Sequence, residues 1–260
     1  MSLFHFKKEK IQGFVYAADE DSELFRDAKA GDLITKQDRN PPFIVVNHTL
    51  DKIIITRWPG KLYKVEVLNP SKEKDINKGL VKNVWYTRTL GIKILEEVLV
   101  EKIFGVNAQQ ISQVINLARN ITEEQVNALS EYDTVYGRTL FAKTWDHWLS
   151  SIDKSYVHTA EDHSNTLKFF SGDQSYGSPI RDGLSIISSQ FHIRVREIAG
   201  ESAFFVDEEG EISLQPKWAR ACEQLLHASM SYESDNLLTK MEKEILRKPF
   251  VDVFPSSDLF

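Results

Sequence analysis

Lys61-Leu62-Tyr63-Lys64-Val65-Glu66-Val67 decides how the first part of this chain is read. Tyr63, Val65 and Val67 recur at every second position with Lys64 and Glu66 between them. That is the period of a strand that buries one face and wets the other. Trp58-Pro59-Gly60 supplies a turn before it, and residues 69–83, polar and carrying Pro70 and Gly79, a long loop after it. Working outward, Gly13-Phe14-Val15-Tyr16 and the β-branched run at residues 43–46 predict two further strands. Gly91-Ile92-Lys93-Ile94-Leu95 opens another that continues to about Val100. Asn40-Pro41-Pro42 is punctuation, since proline fixes its own φ and restrains its predecessor. Ala30-Gly31-Asp32 is a turn before Leu33-Ile34, and residues 21–28 fit one or two helical turns.

Near residue 105 the period changes from 2 to 3.6. Asn107 and Gln110 stand in capping-box spacing ahead of Ile111, Val114, Ile115 and Ala118, an amphipathic helix. Thr122 and Gln125 repeat the arrangement for a second helix to about Glu131. Leu140, Phe141, Thr144, Trp145, Trp148 and Leu149 predict a third, with an aromatic stripe suited to a core or an interface. Residues 171–182 hold Gly172, Gly177 and Pro179 and predict a loop. Residues 184–198 fit either period; the reading adopted is a helix to about Ser189 followed by a strand. Residues 203–206 and 211–214 flank Asp207-Glu208-Glu209-Gly210 as a hairpin. Pro216 opens a last helix to Ser229, and the tail after Pro249 is expected to be loosely held. The fold class is therefore α+β: a β-rich domain at residues 1–105, then a mainly helical one with a small hairpin at residues 106–260.

Composition limits the function. The 260 residues are 42% hydrophobic and 27% charged, a globular balance that excludes a disordered tail or a fibre. Asp+Glu at 38 against Lys+Arg at 32 gives a net charge of −6, unsuited to coating nucleic acid or an anionic membrane. One cysteine, Cys222, excludes an intramolecular disulfide framework and a Cys-rich zinc site, and its helix face points to a structural role. No apolar stretch approaches a membrane span, and Met1-Ser2-Leu3-Phe4 leads into charges rather than a signal core. A cytoplasmic protein is expected, and no feature specifies an oligomeric state. GxGxxG, P-loop, GxSxG and HExxH motifs are absent from the sequence. No metal is expected from the histidines either. His158 and His163 lie five apart, on different faces of a helix; Asp146-His147 lies opposite an apolar stripe; Glu223 and His227 at i, i+4 make only two ligands.

The first hundred residues carry an ordered set of short pieces. These are a strand ending at Tyr16; Ala30-Gly31-Asp32-Leu33-Ile34; an apolar strand followed by Thr49-Leu50-Asp51; Leu62-Tyr63-Lys64-Val65-Glu66; an acidic loop with Glu73, Asp75 and Asn77; Tyr86-Thr87-Arg88; and residues 92–98 with Glu96-Glu97. In order and spacing the set resembles the rifampin ADP-ribosyltransferase family over residues 12–98, about a third of the chain. The resemblance implies a small β-rich domain of the wider ADP-ribosyltransferase fold, of bacterial type, moving ADP-ribose from NAD to a hydroxyl of a small molecule. It implies that Asp75, with Asn77 two residues on, is the catalytic carboxylate, with Glu73 a second candidate. A carboxylate there would stabilise the positive charge that builds on the ribose as nicotinamide leaves. Tyr16 is a candidate NAD contact, and His48, three residues after Val45, is a candidate substitute for a family group this chain lacks. Two family positions differ: the histidine that holds NAD is replaced by Ala17, and the tyrosine that stacks on nicotinamide falls on Val45. Glu96-Glu97 resembles the Glu-rich strand end of other branches of the fold.

Three readings follow. The first is an NAD-dependent ADP-ribosyl transfer to an unknown acceptor. The second is a catalytically inactive pseudoenzyme on the same scaffold, binding a protein partner as an antitoxin or immunity factor does; the Trp145/Trp148 helix is its candidate patch. The third is a plain helical interaction protein.

Overall fold

A computed structural model of the chain describes residues 10–18, 23–36, 44–53, 55, 57–68, 86–132, 135–151, 179–208, 210–234 and 237–255. They fall into two compact units, one made of the described residues up to Lys102 and one of those from Ile103 onward. The architecture is α+β with the sheet first.

The first unit is a six-stranded sheet of β1 (Gln12–Ala18), β2 (Leu33–Thr35), β3 (Ile44–Asn47), β4 (Gly60–Val67), β5 (Tyr86–Thr89) and β6 (Gly91–Val98). Its order is β2-β6-β4-β1-β3-β5, every neighbouring pair antiparallel. The alternating stretch at residues 61–67 lies in β4, an inner strand between β1 and β6. Val15, Ala17, Ile34, Ile44, Val46, Tyr63, Val65, Ile92 and Ile94 point to one side and form a single buried cluster. Burying each large side chain contributes about 1.5–3 kcal/mol before entropy is counted. Residues 21–28 yield only one 3-10 turn, Glu23–Phe25, whose Phe25 stacks on Tyr63 with ring centroids 5.9 Å apart. Tyr86-Thr87-Arg88-Thr89 is a strand that the sequence reading did not assign. The expected strand to Val100 stops at Val98, and a 3-10 segment follows at Val100–Asn107.

The second unit holds helices α1 (Ala108–Asn120), α2 (Glu123–Ser130), α3 (Val135–Ser151), α4 (Pro179–Ala199), α5 (Pro216–Glu233) and α6 (Lys240–Val253), with hairpin strands β7 (Phe204–Val206) and β8 (Ile212–Leu214) between α4 and α5. Thr122 caps α2 as its spacing predicts: its hydroxyl accepts from the Gln125 N–H at 3.2 Å and the Gln125 side chain accepts from the Thr122 N–H at 2.9 Å. Asn107 caps α1 by position only and makes no side-chain bond there. The expected strand after Ser189 does not form. Leu184, Ile187, Phe191 and Val195 share one buried helical face while Ile193 is exposed, so the 3.6 period holds through Ala199. The loop expected at 171–182 gives way to α4 from Pro179, a residue type favoured at the first position of a helix; residues 171–178 lie outside the described residues. The tail is not loose either: α6 has its own capping box at Thr239 and Glu242 and buries Leu246, Phe250 and Phe254 at four-residue spacing. Helix α5 packs against each of the other five described helices and is buried nearly all round.

Candidate functional site

The sheet register builds the candidate site on β1, β3 and β5. Phe14 stands opposite Asn47, and Asn47 opposite Tyr86. Val45 stands opposite Arg88, and carrying the β1–β3 register on by two residues sets Tyr16 against Val45. Because Val15, Ala17, Ile44 and Val46 face the buried cluster, Phe14, Tyr16, Val45, Asn47, Tyr86 and Arg88 share the opposite face. They form two rows of three, Phe14–Asn47–Tyr86 and Tyr16–Val45–Arg88. At ordinary strand spacing the array covers about 10 Å by 7 Å, the footprint of an aromatic ring and a phosphate side by side. None of the six is fully buried, and Val45 at its centre is 39% exposed. The Arg88 guanidinium lies 5.8 Å from the centre of the Tyr86 ring. Among the described residues no carboxylate pairs with it. A cation, three aromatic rings and an amide on one face suit an anionic ligand with a planar ring.

Tyr16 is held in this array by its far end. Its hydroxyl donates to the Arg57 carbonyl at 2.6 Å, and its ring lies over Gly60. A Cβ on Gly60 would come within 2.5 Å of that ring, so only glycine lets the two pack.

His48 does not join Tyr16. Thr87 stands opposite the fully buried Val46, and His48, two residues after Val46, falls on the same side. The His48 Nε2 lies 2.8 Å from Thr87 Oγ1. The sheet therefore separates the two expected NAD contacts onto opposite faces. Beyond His48, burial pushes the Asp51 carboxyl up, but hydrogen bonds from Thr49 and Lys52 and the Lys52 charge outweigh it and hold it below the usual range. Asp75 and Glu73 lie outside the described residues, as does the loop that carries them. Ala17 is buried in the core cluster. Glu96 pairs with Lys64 at 3.5 Å on the surface. Phe14, Asn47, Tyr86 and Arg88 are not among the contacts expected from the sequence; the alternation Tyr86-x-Arg88 is the available signal, since i and i+2 share a face of a strand.

In the helical unit, burial pushes the Cys222 thiol up to about 12, so it stays protonated. Glu223 is taken by Arg138 at 2.9 and 3.1 Å rather than sharing a ligand with His227. Burial, and then the Arg138 charge, push His227 down to about 4. Trp145 is half-buried, and the side chain of Trp148 lies outside the described residues. Among the described residues no group of three or more His, Cys, Asp or Glu could hold a metal, and no helix is long and apolar enough to cross a membrane. No family model, curated protein or solved structure matches the chain.

Proposed function

We propose that the sheet unit binds NAD on the β1–β3–β5 face and transfers its ADP-ribose to a hydroxyl acceptor. The observation that supports the reading is the two-row array, with Arg88 for the pyrophosphate, Tyr86 and Tyr16 for the planar rings and Val45 at the position where the resembled family stacks nicotinamide. In the transfer the bond between nicotinamide and ribose breaks, nicotinamide leaves with the bonding pair, and the acceptor oxygen bonds to the ribose carbon and loses its proton to solvent. Asp75 would stabilise the positive ribose in between. His48 is left out of the ligand face.

A second reading, binding without turnover, is favoured by one observation: the two family positions that handle NAD hold a buried alanine, Ala17, and the short Val45. A fold outlives its chemistry readily. Calorimetric titration with NAD, paired with an assay for released nicotinamide, separates the readings. The expected result is a Kd at or below about 1 mM, weakened about tenfold in Arg88→Ala, unchanged in His48→Ala, and nicotinamide release that Asp75→Ala abolishes. Binding without release leaves the second reading. No heat at millimolar NAD overturns the transferase reading and leaves, of the second, only an inactive scaffold that binds a protein partner.

A further inference from the structure

The helical unit carries a cleft of about 630 Å³, within the range of small-ligand sites, and its lining is unlike a packing defect. Ile212, Ser213 and Leu214 all line it, so consecutive residues of β8 reach it. Alternate residues of a strand point to opposite faces, and only the edge of a strand presents three in a row.

The hydrogen bonds of the hairpin say what that edge offers. The Gln215 N–H donates to the Ala203 carbonyl at 2.8 Å and the Asp207 N–H to the Glu211 carbonyl at 2.9 Å. Hydrogen-bonded pairs alternate along an antiparallel ladder, which makes Phe205–Ser213 the next bonded pair and leaves Phe204–Leu214 and Val206–Ile212 unbonded. The N–H and C=O groups of Ile212 and Leu214 therefore point away from β7. Among the described residues β8 pairs with β7 alone, so this edge carries no other strand there.

The charges in the cleft reduce to one. Arg138 and Glu223 neutralise each other through the two bonds already given. Arg220 spends its Nε on the Ser130 carbonyl at 3.1 Å, and its two terminal nitrogens have no partner among the described residues. His192 places Nδ1 2.7 Å from the Ser188 carbonyl, so Nδ1 carries the proton and Nε2 is the acceptor in the neutral ring. Leu214, Pro216, Ala219 and Leu226 supply apolar wall.

We propose that this cleft takes the C-terminal end of an extended peptide by strand addition to β8, with the terminal carboxylate on Arg220. Main-chain bonds to Ile212 and Leu214 give affinity, the apolar wall takes alternate side chains, and a single net positive charge matches a single carboxylate. The charge belongs at the end of the segment because β8 ends at Leu214 and helix α5, which carries Arg220, begins two residues later.

The probes are Ac-Thr-Val-Thr-Val with a free carboxylate, its C-terminal amide, an N-methylated version of the acid, and Ac-Thr-Val-Thr-Glu as the amide. Each is titrated by calorimetry and followed through backbone amide shifts. The acid is expected to bind with a Kd at or below about 1 mM, to shift the Ile212 and Leu214 amides most, and to lose at least about tenfold as the amide. N-methylation at alternate residues is expected to abolish binding, and Arg220→Gln to remove the difference between acid and amide. No binding, equal binding of acid and amide, or indifference to N-methylation overturns the proposal. A Glu-terminated amide that binds as well as the acid overturns the terminal carboxylate. The peptide comparisons leave the protein unchanged, so they decide the matter even if Arg220→Gln does not fold.

Discussion

The two units treat polar groups in opposite ways. The sheet sorts most of them by alternation: its buried cluster is aliphatic and aromatic, Asn47, Lys64, Glu66 and Arg88 stand on the other face, and the polar groups on the core side, His48, Thr87 and Thr89, sit at the β3–β5 end and are hydrogen-bonded. The helical unit buries them. Gln224, His227, Ser229, Ser231 and Ser234 lie on or just after the central helix α5 with at most 2% of their surface exposed. A sheet face can be dry or wet as a whole, whereas a helix enclosed on all sides has no wet side to offer. The stability of the first unit should thus rest on apolar burial, and that of the second should also respond to proton uptake and to single hydroxyls.

The largest expected effect tests the apolar part of the second unit. Phe250 is fully buried on α6 and packs against Phe254 with ring centroids 5.0 Å apart. Phe250→Ala is expected to cost about 3–5 kcal/mol, read as lost amide-exchange protection in α5 and α6. Unchanged protection would mean that α6 is peripheral to the unit, contrary to its buried contacts.

Next comes pH. With His227 at about 4 in the folded chain and an ordinary histidine near 6.5 in the unfolded one, the unfolded chain takes up the proton first as pH falls. Stability is then greatest above about pH 6.5 and drains away toward pH 4, by about 2 kcal/mol between pH 7 and pH 4.5. His227→Gln should flatten that part of the slope in α5 exchange and leave the β4 amides with their wild-type pH response. An unchanged slope would place the proton uptake elsewhere.

What the sequence makes legible follows the same division. Strict alternation in Tyr63, Val65 and Val67 has one interpretation, and β4 and its neighbours lie where it predicts. Residues 184–198 satisfy both periods for part of their length, and the decision rests on Phe191 and Ile193, whose faces only the packing distinguishes. Pro249 reads as a terminator, yet α6 carries it inside its last turns, losing one hydrogen bond while Phe250 and Phe254 are buried beyond it. The candidate site was half legible. Tyr16 and Val45 are found from their strands, but which face each strand shows depends on register, and register is a property of pairs of strands. That is why His48 and Tyr16, both near strand ends, read as neighbours and are separated by the sheet.

Two single-hydroxyl changes are expected to move the helical unit in opposite directions. Thr122→Ala removes a working capping box and should cost about 1 kcal/mol. The Ser229 hydroxyl is fully buried and has no hydrogen-bond partner among the described residues. Ser229→Ala should therefore stabilise by about 1 kcal/mol. Denaturant midpoints of the two variants, at equal slopes, check both; a loss at Ser229→Ala would mean that the hydroxyl has a use in the interior.

The smallest effect sharpens the contrast between the sheet's proposed ligand face and its plain surface. Glu96 and Lys64 meet at 3.5 Å with 58% and 40% of their side chains exposed. Such a pair contributes at most about 0.5 kcal/mol, because water screens both charges and ordering two long side chains offsets the attraction. Glu96 is on β6, two strands from β1 and on the far side of β4 from β3 and β5. Glu96→Gln should leave both stability and NAD affinity within about twofold of wild type, where Arg88→Ala, on the same sheet, does not. A matching loss of NAD affinity in both variants would spread the ligand across β4 and β6, and the array centred on Val45 would no longer define the site.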